Sequence, residues 1–144
     1  EYADRLTEEY AQWGGNYADH WTPYLKAHSL TKQGKIEYGI RIFDDWMSEY
    51  SMPENFKSDF WHYHFYVEFM LFYQVGSDKA IEYAQMIEDY NSSVSNKKRL
   101  AELCFLNGEI SKAVDKLNEI IAMLENPKKK NEIEKLITKY SETI

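Results

Sequence analysis

The stretch Phe60-Trp61-His62-Tyr63-His64-Phe65-Tyr66-Val67-Glu68-Phe69-Met70-Leu71-Phe72-Tyr73 decides how the rest of the chain is read. Ten of its fourteen residues are aromatic or histidine, and it contains neither Gly nor Pro. A run of this length exceeds an ordinary strand, so it reads as a helix. Because it is apolar almost all the way round, such a helix needs cover on most sides. The flanking segments are therefore expected to pack against it. The helix is expected from about Phe56 to Val75, followed by Gly76-Ser77-Asp78 as a turn with a cap.

Working towards the N-terminus, Ser51-Met52-Pro53 stops a helix expected from about Lys35 to Tyr50. Its apolar residues Ile36, Gly39, Ile40, Phe43 and Trp46 recur at helical spacing. Gln33-Gly34 turns the chain, and before it a helix carries Trp21, Tyr24, Leu25 and His28 as far as about Leu30. Pro23 fits the first turn of that helix, with Asn16 or Asp19 as its cap. Residues 1–13 set Tyr2, Leu6, Tyr10 and Trp13 on one helical stripe, ended by Gly14-Gly15-Asn16.

Working towards the C-terminus, Ala80, Ile81, Ala84 and Ile87 form the stripe of a helix that ends near Tyr90. After the loop Asn91-Ser92-Ser93, residues Leu100, Ala101, Cys104 and Phe105 mark a short helix, and Asn107-Gly108 is a turn. The next stripe is Ile110, Ala113, Val114, Leu117, Ile120, Ile121 and Leu124; Asn126-Pro127 stops it, with Asn126 as a cap. Ile133, Leu136, Ile137 and Tyr140 define the last helix. No useful segment alternates with period two, so the expected fold is all-α, with about seven to eight helices.

The 144 residues suffice for one compact domain or a short repeat array, and for a core without staples. The net charge of −7 is uneven. Residues 1–72 carry 12 acidic and 6 basic groups, a net −6; residues 73–144 carry 12 and 11, a net −1. An acidic surface repels phosphate backbones, so no nucleic-acid partner is expected. No apolar run approaches the ~20 residues that span a bilayer, so no membrane insertion is expected. Cys104 is the one cysteine, which rules out an internal disulfide and favours a cytoplasmic setting. The chain begins at Glu1 rather than Met, so an upstream segment is expected to have been removed, and export stays open.

Short helix pairs recur. A shift of 74 residues lays Gly34 on Gly108, Gly39 on Ala113, Phe43 on Leu117, Trp46 on Ile120 and Pro53 on Pro127. A middle pair lies between them, with Gly76 at its turn and Ala80 as its small residue. Ala27 and Ala101 supply small residues in the first helices. This pattern resembles the tetratricopeptide repeat (TPR), two antiparallel helices per about 34 residues. Lys26 and Glu68 depart from it by standing where the family has apolar or small residues. The resemblance implies antiparallel helical hairpins stacked as a TPR-like right-handed array. An N-terminal helix would occupy 1–19, helix pairs 20–53, 56–91 and 94–127, and a capping helix 128–144.

In such arrays the first helix of each pair lines the concave side. The resemblance thus implies an aromatic groove lined by Trp21, Tyr24, His28, His62, Phe65, Phe69, Phe72 and Phe105, suited to a peptide or protein partner. The alternative is that these rings only fill a core. TPR domains that clamp a carboxylate use Lys, Arg and Asn where Tyr24, His28, Phe65 and Phe69 stand here, so that activity is not implied. His62 and His64 point about 200° apart on a helix and cannot chelate one metal, so neither a metal site nor a cofactor is expected. Cys104 lies on an apolar stripe and reads as a small core residue. Lys97-Lys98-Arg99 and Lys128-Lys129-Lys130 are expected to be solvated. No phosphate loop, nucleophile elbow or paired-cysteine motif is present, and the expectation is a non-enzymatic interaction module. A second reading is an acidic inhibitor or immunity-type protein that neutralises a basic enzyme through Asp44, Asp45, Glu49 and Glu54. A third is a structural module of a longer protein. The aromatic surfaces would also suit a homodimer.

Overall fold

A computed structural model describes residues 25–51 and 53–143. The expected helix over 1–13, the Gly14-Gly15 turn, the caps at Asn16 and Asp19, Trp21, Pro23 and Tyr24 lie outside the described residues. The described residues are all-helical, with no strand among them. They comprise α1 (25–32), α2 (Ile36–Tyr50), a 3-10 turn (Pro53–Asn55), α3 (Phe60–Phe72), α4 (Asp78–Tyr90), α5 (Val94–Leu106), α6 (Ile110–Met123) and α7 (Pro127–Ser141). They fall into two compact units that divide within α3, between Phe65 and Tyr66.

The N-terminal unit is built on the hairpin of α1 and α2. Gly39 is buried because the helices approach too closely for a side chain: a Cβ there would lie 2.7 Å from the Ala27 carbonyl oxygen and 2.8 Å from Thr31 Oγ1. Phe43, Trp46 and Met47 carry the buried face of α2, and Tyr63 is buried from α3. Helix α2 ends at Tyr50 as expected, but the aromatic helix begins at Phe60, four residues after the expected Phe56. Pro53 opens the 3-10 turn instead, and the Phe56 amide donates to the Pro53 carbonyl at 3.2 Å. Phe56 still joins the aromatic cluster, its ring 5.1 Å from that of Tyr63.

The C-terminal unit packs consecutive helices against one another, α4 on α5, α5 on α6 and α6 on α7. Their sequence stripes turn inward: Ala80, Ala84 and Ile87 from α4, Ala113, Leu117 and Ile120 from α6, Ile133 and Tyr140 from α7. Ser77 caps α4 by accepting from the Ala80 amide at 3.1 Å, and Ser93 caps α5 likewise from Asn96 at 3.1 Å. Asn126 caps α7, accepting from Lys128 and Lys129. Tyr66 and Tyr83 meet edge to face at 5.2 Å, joining α3 to α4.

Three helix ends share one backbone device. Gly34 closes α1 at φ +79°, Gln74 follows α3 at φ +56°, and Gly108 closes α5 at φ +78°. At each, the next amide reaches back five residues: Lys35 to Leu30 at 2.8 Å, Val75 to Met70 at 2.9 Å, Glu109 to Cys104 at 2.8 Å. The left-handed residue itself donates three back, to Thr31, Leu71 and Phe105. This is the Schellman arrangement, which satisfies carbonyls left open at a helix end. The middle turn was expected at Gly76, with α3 running to Val75. The structure places it at Gln74 and ends α3 at Phe72, because Gly76 is needed elsewhere. A Cβ on Gly76 would lie 2.6 Å from the Leu106 carbonyl oxygen. The chain there passes directly against the end of α5.

Candidate functional site

Six of the eight residues expected to line an aromatic groove are described, and each has a definite place. His28 is half-buried on α1, and burial, with Lys32 nearby, lowers its pKa. His62 is buried beneath the edge of Trp46, with ring centroids 4.5 Å apart. Its Nδ1 lies 2.9 Å from the Ser51 hydroxyl, which is buried too. The contact gives two buried polar groups a partner where the chain leaves α2. The spacing of eleven residues across a turn hid this pair from periodicity.

Phe69 is fully buried, and its ring meets Tyr73 at 4.9 Å. Phe105 lies flat on Tyr140, centroids 4.0 Å apart and 7° between planes, so α7 covers one of its faces. Burial, assisted by Glu102, pushes the Tyr140 phenol up to about 12. His62, Phe69 and the covered face of Phe105 are therefore packing surfaces. A helix that is aromatic all round must spend part of its rings on the core, and α3 does so with Tyr63, Tyr66 and Phe69.

The rings left open on α3 are Trp61, at 61% exposure, and Phe72, at 69%. In the N-terminal unit Trp61 belongs to an organised cluster. It meets Phe60 at 5.6 Å and His64 at 5.5 Å, both edge to face, and Phe65 at 6.1 Å. His64 in turn stacks on Phe60 at 6.1 Å. Edge-to-face and stacked rings hold one another in orientation. Trp61 is thus a large apolar side chain presented to solvent in a defined pose. The sequence carried the signal, a Trp inside the aromatic run, but not the side of the helix it would take.

A second feature lies wholly in the C-terminal unit. A groove of about 730 Å³ is floored by Ile81, Met86, Leu100 and Cys104 and rimmed by acidic residues of α4 and α6. The TPR resemblance assigned the lining to first helices; this groove is bordered by second helices. The spacing Asp78, Glu82, Gln85, Asp89, three or four apart, was its legible trace. Burial raises the pKa of the Cys104 thiol, assisted by Glu109, so it stays a neutral thiol and a small core residue.

Polar side chains elsewhere in this unit serve the packing. Glu88 is buried near the end of α4 and pairs with Lys97, whose pKa is raised first of all by that hydrogen bond. Ser92 Oγ donates to Glu88 at 2.9 Å and the Ser93 amide at 3.3 Å. Arg99 pairs with Glu68 at 2.6 Å. Of the basic run Lys97-Lys98-Arg99, expected to be solvated, Lys97 is thus committed to a buried carboxylate and Arg99 to a partly exposed ion pair. The Arg99 contact also explains an acidic residue at Glu68. No helix among the described residues is long and apolar enough to cross a membrane. Among them, too, no three His, Cys, Asp or Glu side chains converge as a metal site would require. Comparison with family models, with curated proteins and with solved structures finds no match, so the functional reading rests on the residues themselves.

Proposed function

We propose that this chain is a non-enzymatic protein-interaction module, a TPR-like set of helical hairpins that binds a peptide or protein through the aromatic surface around Trp61. The observation that supports this is the 61% exposure of Trp61 within an ordered ring cluster. Leaving a Trp in water forgoes the burial free energy of one of the largest apolar side chains, and Trp is among the commonest anchors of protein interfaces. Phe65 completes the surface beside it. The shared turn geometry at Gly34 and Gly108 supports the repeat reading.

The test is affinity capture with the wild-type chain and with Trp61→Ala, each first checked for helical content and thermal unfolding. A stoichiometric partner should be lost from the variant, with affinity falling by about 30-fold or more, as for an anchor worth about 2 kcal/mol. A partner held equally by both proteins would overturn the Trp61 surface. A second reading, an acidic inhibitor of a basic enzyme, is favoured by the exposure of Asp45, Glu49 and Glu54 in the N-terminal unit. Under that reading a Glu49→Lys variant loses the partner, binding weakens steeply with salt, and Trp61→Ala changes little.

A further inference from the structure

We propose that the groove between α4 and α6 is a docking site for a basic amphipathic helix of a partner protein. This goes beyond the Trp61 surface and uses none of its residues. Six carboxylates and two lysines line the groove, a net charge of −4. Both lysines are already engaged: Lys112 donates to Glu109 at 2.7 Å, and Lys116 pairs with Glu119 at 3.3 Å. The remaining carboxylates, Asp78, Glu82, Asp89 and Asp115, are all exposed. Asp78 and Asp89 accept hydrogen bonds from neutral amides, those of Asn107 and Gln85 at 2.8 Å each. In a concave site with low-dielectric walls these charges reinforce one another's field.

The floor of the groove is apolar. Ile81 and Met86 are partly exposed in the groove above the buried Leu100 and Cys104. An acidic rim over an apolar floor complements a helix with Leu-like residues on one face and Lys or Arg beside them. Methionine adds tolerance in the fit, because its unbranched side chain repacks readily. The acidic border of α4, from Asp78 to Asp89, spans about 16 Å at 1.5 Å per residue, which matches about three turns of a bound helix.

The test uses the full chain and three fluorescent peptides of about 14 residues, titrated by anisotropy. One is an amphipathic Leu/Lys helix, one a Ser/Lys peptide of equal charge, and one a Leu/Glu helix. The Leu/Lys peptide should bind at least about tenfold more tightly than either of the others, and its affinity should fall as salt is raised. The double variant Glu82→Lys, Asp115→Lys should weaken it by about tenfold or more while unfolding like the parent. Trp61→Ala should leave it unchanged, which separates this site from the aromatic surface. Three results would each overturn the proposal. They are equal binding of the Leu/Lys and Ser/Lys peptides, equal binding by the double variant, and no binding of the Leu/Lys peptide at low salt.

Discussion

The hairpin that turns at Gly34 and the hairpin that turns at Gly108 stand 74 residues apart and solve the same problem with different side chains. Both close their first helix with glycine near φ +79° and with matching hydrogen bonds. Both begin their second helix without a side-chain cap, at Lys35 and at Glu109. The fillings then diverge. The first hairpin buries Phe43 and Trp46 where the second buries Leu117 and Ile120. At its close approach the first has Gly39, and the second has Ala113, fully buried. Thr31 of the first bonds back to the Ala27 carbonyl at 2.8 Å, and its counterpart Phe105 is covered by Tyr140 of α7. A backbone turn is a local solution and repeats readily. Side-chain packing is a joint solution with the neighbours, so it changes whenever they do.

The largest expected effect sharpens the contrast at Thr31 and Phe105. Tyr140 titrates near 12 when folded, against an ordinary value of 10.0. The native state therefore holds this proton more tightly than the unfolded chain, and stability is unaffected below pH 10. It then falls as pH rises from 10 towards 12, by at most about 2–3 kcal/mol. The hydrogen bond to Glu88 raises the pKa of Lys97, so that ion pair also contributes to the alkaline decline. The diagnostic quantity is thus the difference between Tyr140→Phe and the parent in urea-unfolding series across that range. A flatter alkaline decline in the variant is expected, and parallel curves would show that burial does not hold the Tyr140 phenol neutral.

A smaller effect breaks the comparison at the close approach. Gly39→Ala pushes a methyl against the Ala27 carbonyl and should cost about 2 kcal/mol. The reciprocal change, Ala113→Gly, brings no clash; it loosens the helix and removes one buried methyl, and should cost about 1–2 kcal/mol. Chemical denaturation of both variants decides it. A Gly39→Ala variant as stable as the parent would mean that α1 and α2 can part enough to admit the methyl.

The smallest effect concerns the middle turn. Gln74 adopts φ +56° without glycine's freedom, which costs about 1 kcal/mol for an L residue. Gln74→Gly should therefore raise stability by up to about 1 kcal/mol, seen as a higher unfolding temperature. Gly34→Ala and Gly108→Ala should lower it. A neutral Gln74→Gly would indicate that the glutamine side chain offsets its own strain.

Much of the fold was legible because it follows from local rules. The stripe in 110–124, the end of α2 at Tyr50 and the cap at Asn126 each depend on residues within a few positions, and each lies where periodicity and capping chemistry put it. The middle turn was misplaced because glycine serves two purposes that look alike in sequence. Gly34 and Gly108 supply a left-handed residue, whereas Gly76 makes room for the Leu106 carbonyl, thirty residues away.

Of the candidate surfaces, less was legible. An aromatic helix announces burial on most sides without saying which residues remain outside. Only packing shows that Phe69 is covered and Trp61 is open. The ion pair of Glu88 with Lys97 and the contact of Ser51 with His62 were likewise invisible, because each joins groups across a loop. By itself the sequence determined most of the described helices, the inward stripes of α2, α4, α6 and α7, and the turns at Gly34 and Gly108, through propensity, periodicity and capping within single elements. The tertiary structure alone decided which aromatic rings face solvent, which charges are neutralised, and that the acidic rows of α4 and α6 border a common groove. Those outcomes depend on distances between residues far apart in the chain.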